Sequence, residues 1–146
     1  YGLAEFDPTQ VTEVVVDNTD SGFTAPSSSW FPSTSVSGYL GSNYHARATA
    51  SVSDAARWGH DLPSSGNYEI FARWTTGGNR ATAAPYVIYH NGGTSVVTVN
   101  QQANNGQWIS LGTYSMNAGI ADRVVLSCWT GSGSFVIADG VKFEKQ

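Results

Sequence analysis

An all-β domain, a sandwich or barrel of about nine strands, is the fold class this sequence predicts, and three observations predict it. No helical periodicity of useful length appears anywhere in the chain. Short apolar–polar alternations recur instead, the pattern of half-buried strands. Turn residues separate them at intervals that suit antiparallel pairing. At 146 residues the chain is long enough for one hydrophobic core and too short for two ordinary domains.

The elements follow in order. Val11–Asn18 (VTEVVVDN) is a first strand, and residues 1–10 read as a linker stub or the edge of a neighbouring domain. The single domain then spans residues 11–146. Residues 19–43 are rich in Ser, Thr, Gly and Pro and read as a long connection carrying Trp30, Phe31 and Tyr39. Tyr44–Thr49 and Ala55–Asp61 are short strands around Ser51–Asp54, and Leu62–Gly66 is a turn. In Asn67–Thr75, Tyr68, Ile70, Ala72 and Trp74 share one face, while Glu69, Phe71 and Arg73 share the other. Pro85–His90 and Thr94–Asn100 flank Asn91-Gly92-Gly93, a hairpin signal because Asn and Gly accept positive φ. Gln107–Met116 precedes a turn around Asn117-Ala118-Gly119. Arg123–Cys128 and Phe135–Glu144 close the chain across Trp129–Ser134.

Composition excludes several functions. Charged residues are only 12% of the chain, about half the usual share. Net charge is −4, and the seven Lys and Arg residues do not cluster. Nucleic-acid binding needs a basic stripe, so it is set aside. No apolar run approaches the roughly 18 residues of a membrane span, so no membrane insertion is expected. Cys128 is the only cysteine, which rules out an internal disulfide and reads as a small buried hydrophobe on its strand. A chain that opens Tyr-Gly-Leu rather than with Met is expected to be a mature or excised fragment.

Strand direction places the candidate site. If successive strands alternate in direction, loops 75–84 (TTGGNRATAA), 101–106 (QQANNG) and 129–134 (WTGSGS) meet at one end. The tight turns fall at the other. Amide, guanidinium and indole groups on a rigid rim suit a polyhydroxylated ligand. The candidate ligand-binding residues are Tyr44, Trp74, Asn79, Arg80, Gln102, Asn104 and Trp129. Each has a structural alternative. Trp74 suits a core as well as a platform, and Arg80 suits a clamp on its own loop. Gln101, Gln102, Asn104 and Asn105 suit turn backbone as well as ligand hydroxyls.

Catalytic patterns are missing from the sequence. His45, His60 and His90 lack metal spacing, and neither HExxH nor GxSxG occurs. No facing pair of acids stands out for glycoside hydrolysis. The domain itself is therefore expected not to be an enzyme, and no cofactor is expected.

Four groups of residues carry a family resemblance. One is Arg73-Trp74 with Gly78–Thr82 and Ala84-Pro85-Tyr86. Another is Val97–Gln102 followed by Trp108 and Leu111-Gly112. The others are Val136–Asp139 before Val141, and Val15–Asn18 near the start. With this order and spacing, residues 12–144 resemble the golvesin C-terminal and xanthan-lyase carbohydrate-binding-like domain. The resemblance implies an antiparallel jelly-roll β-sandwich of the galactose-binding-like kind. It also implies a carbohydrate-binding accessory module of a secreted bacterial polysaccharide lyase or hydrolase. The expected partners are a polysaccharide and a covalently linked catalytic domain, with the module itself a monomer. The alternative is a surface, adhesion or docking module that binds protein or packs on a neighbouring domain. Related sugar modules often carry a structural calcium near the termini. Here Asp17 and Asp139 are the candidate ligands, with Asp20, Glu5 and Asp7 as further oxygens.

Overall fold

The computed structural model describes residues 13–146. The expected linker at 1–10, the start of the first strand, and the acids Glu5 and Asp7 lie outside the described residues. Among the described residues twelve strands form rather than nine. They are β1 (Glu13–Val16), β2 (Phe23–Thr24), β3 (Phe31–Ser33), β4 (Tyr44–Ala48), β5 (Ala56–Leu62) and β6 (Gly66–Ala72). Then come β7 (Ala84–His90), β8 (Gly93–Val99), β9 (Ile109–Met116), β10 (Gly119–Leu126), β11 (Phe135–Ala138) and β12 (Val141–Lys145). No helix occurs among the described residues, so none is long and apolar enough to cross a membrane.

Three antiparallel sheets result, in the orders β1-β12-β6-β9, β2-β5-β10-β7-β8 and β11-β4-β3. Alternation assigns the buried faces. Ile70 and Ala72 of β6, Leu111 of β9 and Phe143 of β12 come from the first sheet. Trp58 of β5, Tyr86 and Ile88 of β7, and Val124 and Leu126 of β10 come from the second. All join one hydrophobic core. Tyr44, Ala46, Val136 and Ile137 close that core from the third sheet. This is the jelly-roll sandwich expected of the resemblance.

The three additional strands have definite causes. β2 and β3 lie in the stretch read as a connection. They are too short to show alternation and exist through pairing, Phe23 with Trp58 and Phe31 with Ala46. The last expected strand divides at Asp139-Gly140. Its first half pairs with β4, and its second half lies between β1 and β6. Gly140 stands at this crossing and is closely packed, since a Cβ there would press on Leu40 and Trp108 at 3.0 and 3.1 Å. β10 also starts earlier than expected and ends at Leu126, so Cys128 lies beyond the strand, though buried.

The tight turns share one end. Ala118 N–H donates to Ser65 Oγ at 2.8 Å, and Asn91 Nδ2 donates to Ser115 Oγ at 2.9 Å. That leaves the longer loops together at the opposite end.

Candidate binding site at the loop end

Backbone hydrogen bonds stitch the three loops together. Residues 75–84 form the middle strip. Gln101 N–H donates to Ala81 O at 2.9 Å on one side. On the other, Ser134 and Phe135 N–H both donate to Asn79 O at 3.0 Å, and Thr82 N–H donates to Ser132 O at 3.1 Å. Gly133 permits this approach, because a Cβ there would meet Arg80 O at 2.5 Å and Ala81 Cα at 2.7 Å. Asn105 ties the rim to the early segment. Its Oδ1 accepts from Thr76 N–H at 2.9 Å, and its Nδ2 donates to Ser37 O at 3.1 Å.

Beneath the strip lies a cleft of about 420 Å³. Tyr44, Asn79 and Arg80 line it, as do Phe31, Ser33 and Phe135. Phe31 is 43% exposed and stands edge-on to Phe135, with ring centroids 6.3 Å apart. The cleft therefore has an aromatic wall facing hydroxyl and amide groups.

Arg80 is a clamp rather than a free fork. It is 6% exposed. Its Nη1 donates to Asn79 Oδ1 at 2.7 Å, and its Nη2 donates to Tyr44 OH at 3.4 Å. Its guanidinium carbon lies 5.9 Å from the Tyr44 ring centroid. Burial pushes the Tyr44 phenol up, but the Ser33 hydrogen bond and the Arg80 charge contribute to an opposing pull that leaves it below its usual value. Tyr44 itself is buried, so it contributes floor rather than platform.

Other sequence candidates are placed differently. Trp74 is 1% exposed and donates through Nε1 to Ala103 O at 2.9 Å. Its indole belongs to the core, which corrects its assignment as a ligand contact. Gln101 is fully buried. Its Nε2 donates to Ile137 O and its Oε1 accepts from Ile137 N–H, both at 2.9 Å. Gln102 is exposed, yet its Nε2 donates to Arg80 O at 2.9 Å and Gly78 O at 3.2 Å. Asn104 is exposed at the tip of loop 101–106 with φ 65°, the left-handed turn conformation that Asn tolerates. Trp129 is 60% exposed on loop 129–134 and stands outside the cleft lining. Phe31, Ser33 and Phe135 escaped the sequence reading. The Trp30-Phe31 pair in an otherwise polar stretch was the available signal.

The acids near the first strand form a separate cluster. Asp139 is fully buried, and both its oxygens accept from Leu40 N–H, at 3.0 and 3.2 Å. Arg73 Nε lies 3.5 Å away, close enough for charge attraction but without hydrogen-bond geometry. Burial pushes the Asp139 carboxyl up to about 7, with the Asp17 carboxyl adding to the rise. Asp17 is occupied as well, its Oδ2 accepting from Thr19 Oγ1 at 2.8 Å. Among the described residues no three His, Cys, Asp or Glu side chains gather as a metal site. Calcium takes six to eight oxygens, whereas a guanidinium and N–H donors face this pair. These surroundings do not fit the expected calcium.

Comparison with known proteins places the fold in a family. A xanthan lyase of Bacillus sp. (strain GL1) is 29% identical over 137 residues, which is 92% of this chain and 15% of that enzyme. The chain thus spans about one-seventh of its curated relative. The structure of a Paenibacillus xanthan lyase superposes with a TM-score of 0.84 at 33% identity, covering 92% of this chain and 13% of that one. A CBM35 from Cellvibrio japonicus Abf62 superposes with a TM-score of 0.67 at 21% identity, covering 92% and 95% of the two chains. The family model of the golvesin C-terminal domain matches residues 14–145. A match over nearly the whole described chain settles the assignment: this protein belongs to the golvesin C-terminal domain family.

Proposed function

We propose that this chain is a non-catalytic carbohydrate-binding module that recognises a polysaccharide at its loop end. The reading extends to an accessory role beside a catalytic domain in a secreted bacterial polysaccharide-degrading enzyme. The aromatic-walled cleft carries the proposal. Phe31 and Phe135 offer ring faces and edges for sugar C–H groups, while Asn79 and Ser33 offer hydroxyl partners. The lining holds no carboxylate or imidazole to serve as a general acid or base. Binding needs neither, so the chemistry supports recognition over cleavage. Likeness to a CBM35 and to domains within xanthan lyases adds weight. Trp129 and Asn104 extend the rim beyond the cleft.

Affinity electrophoresis through gels containing xanthan, galactomannan or dextran tests this. One polysaccharide is expected to retard the protein, and Phe31→Ala with Asn79→Ala to remove the retardation. Migration unaffected by every gel would refute the proposal.

A further inference from the structure

The outer face of the five-stranded sheet carries a second concavity, away from the loop-end cleft. It encloses about 480 Å³ and is lined by Asp54, Arg57, Tyr89, Asp122 and Val125, among others. Three adjacent strands present these groups, except Asp54, which lies just ahead of β5. Val125 of β10 pairs with Arg57 of β5 on one side and with Val87 of β7 on the other. Neighbouring strands lie about 4.8 Å apart, so the β5 and β7 walls stand roughly 10 Å apart. That width suits one pyranose ring with its hydroxyls. Two further depressions adjoin this one at Asp122, lengthening the groove along the sheet.

The polar groups here have unmet capacity. Among the described residues, Arg57 and Asp122 join none of the ion pairs. Asp54 is held by Arg47 Nε at 2.7 Å and Ser27 Oγ at 2.5 Å, both on the same oxygen, Oδ2. Its Oδ1 remains an acceptor. Burial pushes the Asp54 carboxyl up, but those two bonds and the nearby arginine charges outweigh it and keep the group ionised. Tyr89 is 42% exposed and supplies an aromatic face beside them. Charge selects the ligand class. An anion at Arg57 would meet two carboxylates, and a cation at the carboxylates would meet the guanidinium. A neutral polyol satisfies both, because each hydroxyl donates to a carboxylate and accepts from a guanidinium.

We infer that this sheet face is a second glycan site, in which Tyr89 stacks on a neutral sugar ring while Arg57, Asp54 and Asp122 bind its hydroxyls. The inference shares the carbohydrate-binding reading above but rests on a different surface. Each site is shallow and binds weakly alone. Two sites on one rigid body bind a long polymer more tightly than either does.

The test is an amide NMR titration of the chain with mannohexaose, isomaltohexaose and depolymerised xanthan. Shifts at Arg57, Asp122 and Val125 are expected, separate from those around Asn79. Tyr89→Ala is expected to weaken the sheet-face shifts at least tenfold and to leave the loop-end shifts intact. Asp122→Asn, a substitution at an exposed side chain, gives the same readout should Tyr89→Ala fold poorly. Shifts confined to the loop end overturn the inference and leave the proposed function standing. Shifts confined to the sheet face do the reverse for the loop-end site. No shift with any of the three sugars overturns both.

Discussion

Replacing Gln101 by methionine tests how the loop end is built. The side chain is fully buried and acts as a substitute strand neighbour for β11, exchanging two bonds of 2.9 Å with the N–H and C=O of Ile137. Methionine preserves volume and removes both bonds. Each stranded backbone group costs about 1–3 kcal/mol. The apolar side chain recovers part of that, so a net loss of about 3 kcal/mol is expected. At roughly 2–4 °C per kcal/mol for a domain of this size, Tm falls by roughly 6–12 °C. Urea unfolding followed by tryptophan fluorescence measures the change, with Gln102→Met as control. Gln102 is exposed, so its loss is expected to stay within about 1 kcal/mol. A loss at Gln101 below about 1 kcal/mol would refute the view that this amide completes the sheet.

Other outcomes follow from the same geometry. Trp74→Ala is expected to cost about 3–5 kcal/mol because its indole is buried. Trp129→Ala is expected to change stability by less than about 0.5 kcal/mol while weakening polysaccharide retardation. Thermal melts separate the two tryptophans, and affinity gels check the second. Asp139 keeps its proton in the folded state up to about pH 7, whereas its ordinary value is 3.8. The folded state therefore binds the extra proton, and stability falls as pH rises between these values. Asp139→Asn is expected to flatten that slope, as melts between pH 4 and pH 8 would record. Gly133→Ala is expected to cost about 1–3 kcal/mol, because its Cβ would collide with the backbone of Arg80 and Ala81. Hydrogen exchange at Thr82 and Ser134 checks that the seam has loosened.

Much of the fold was legible because β6, β7 and β8 alternate over seven residues each. Asn91-Gly92 and Asn117-Ala118 also announce their hairpins through turn chemistry. β2 and β3 were not legible, since two or three residues carry no period and owe their form to partners distant in sequence. Convergence of the three loops followed from strand parity alone. What each side chain does there did not. Arg80 and Gln101 carry groups suited to gripping sugars, yet the Asn79 and Tyr44 side chains and the Thr75 carbonyl hold those of Arg80, and the Ile137 backbone holds those of Gln101. Sequence reports donors and acceptors, and burial decides whether a ligand or the protein uses them. Phe31 shows the converse, a platform candidate hidden in a stretch whose composition reads as plain connection.

The seam between loops 75–84 and 129–134 is made chiefly of main-chain atoms. Its outline therefore depends on Gly133 and on the Thr82, Thr130 and Ser132 hydroxyls that cross it, and not on the exposed Trp129. Trp129 is an exchangeable fitting on that frame, so under the proposed function altering it would retune selectivity without remodelling the scaffold. Such a division makes this rim a suitable frame for randomised libraries.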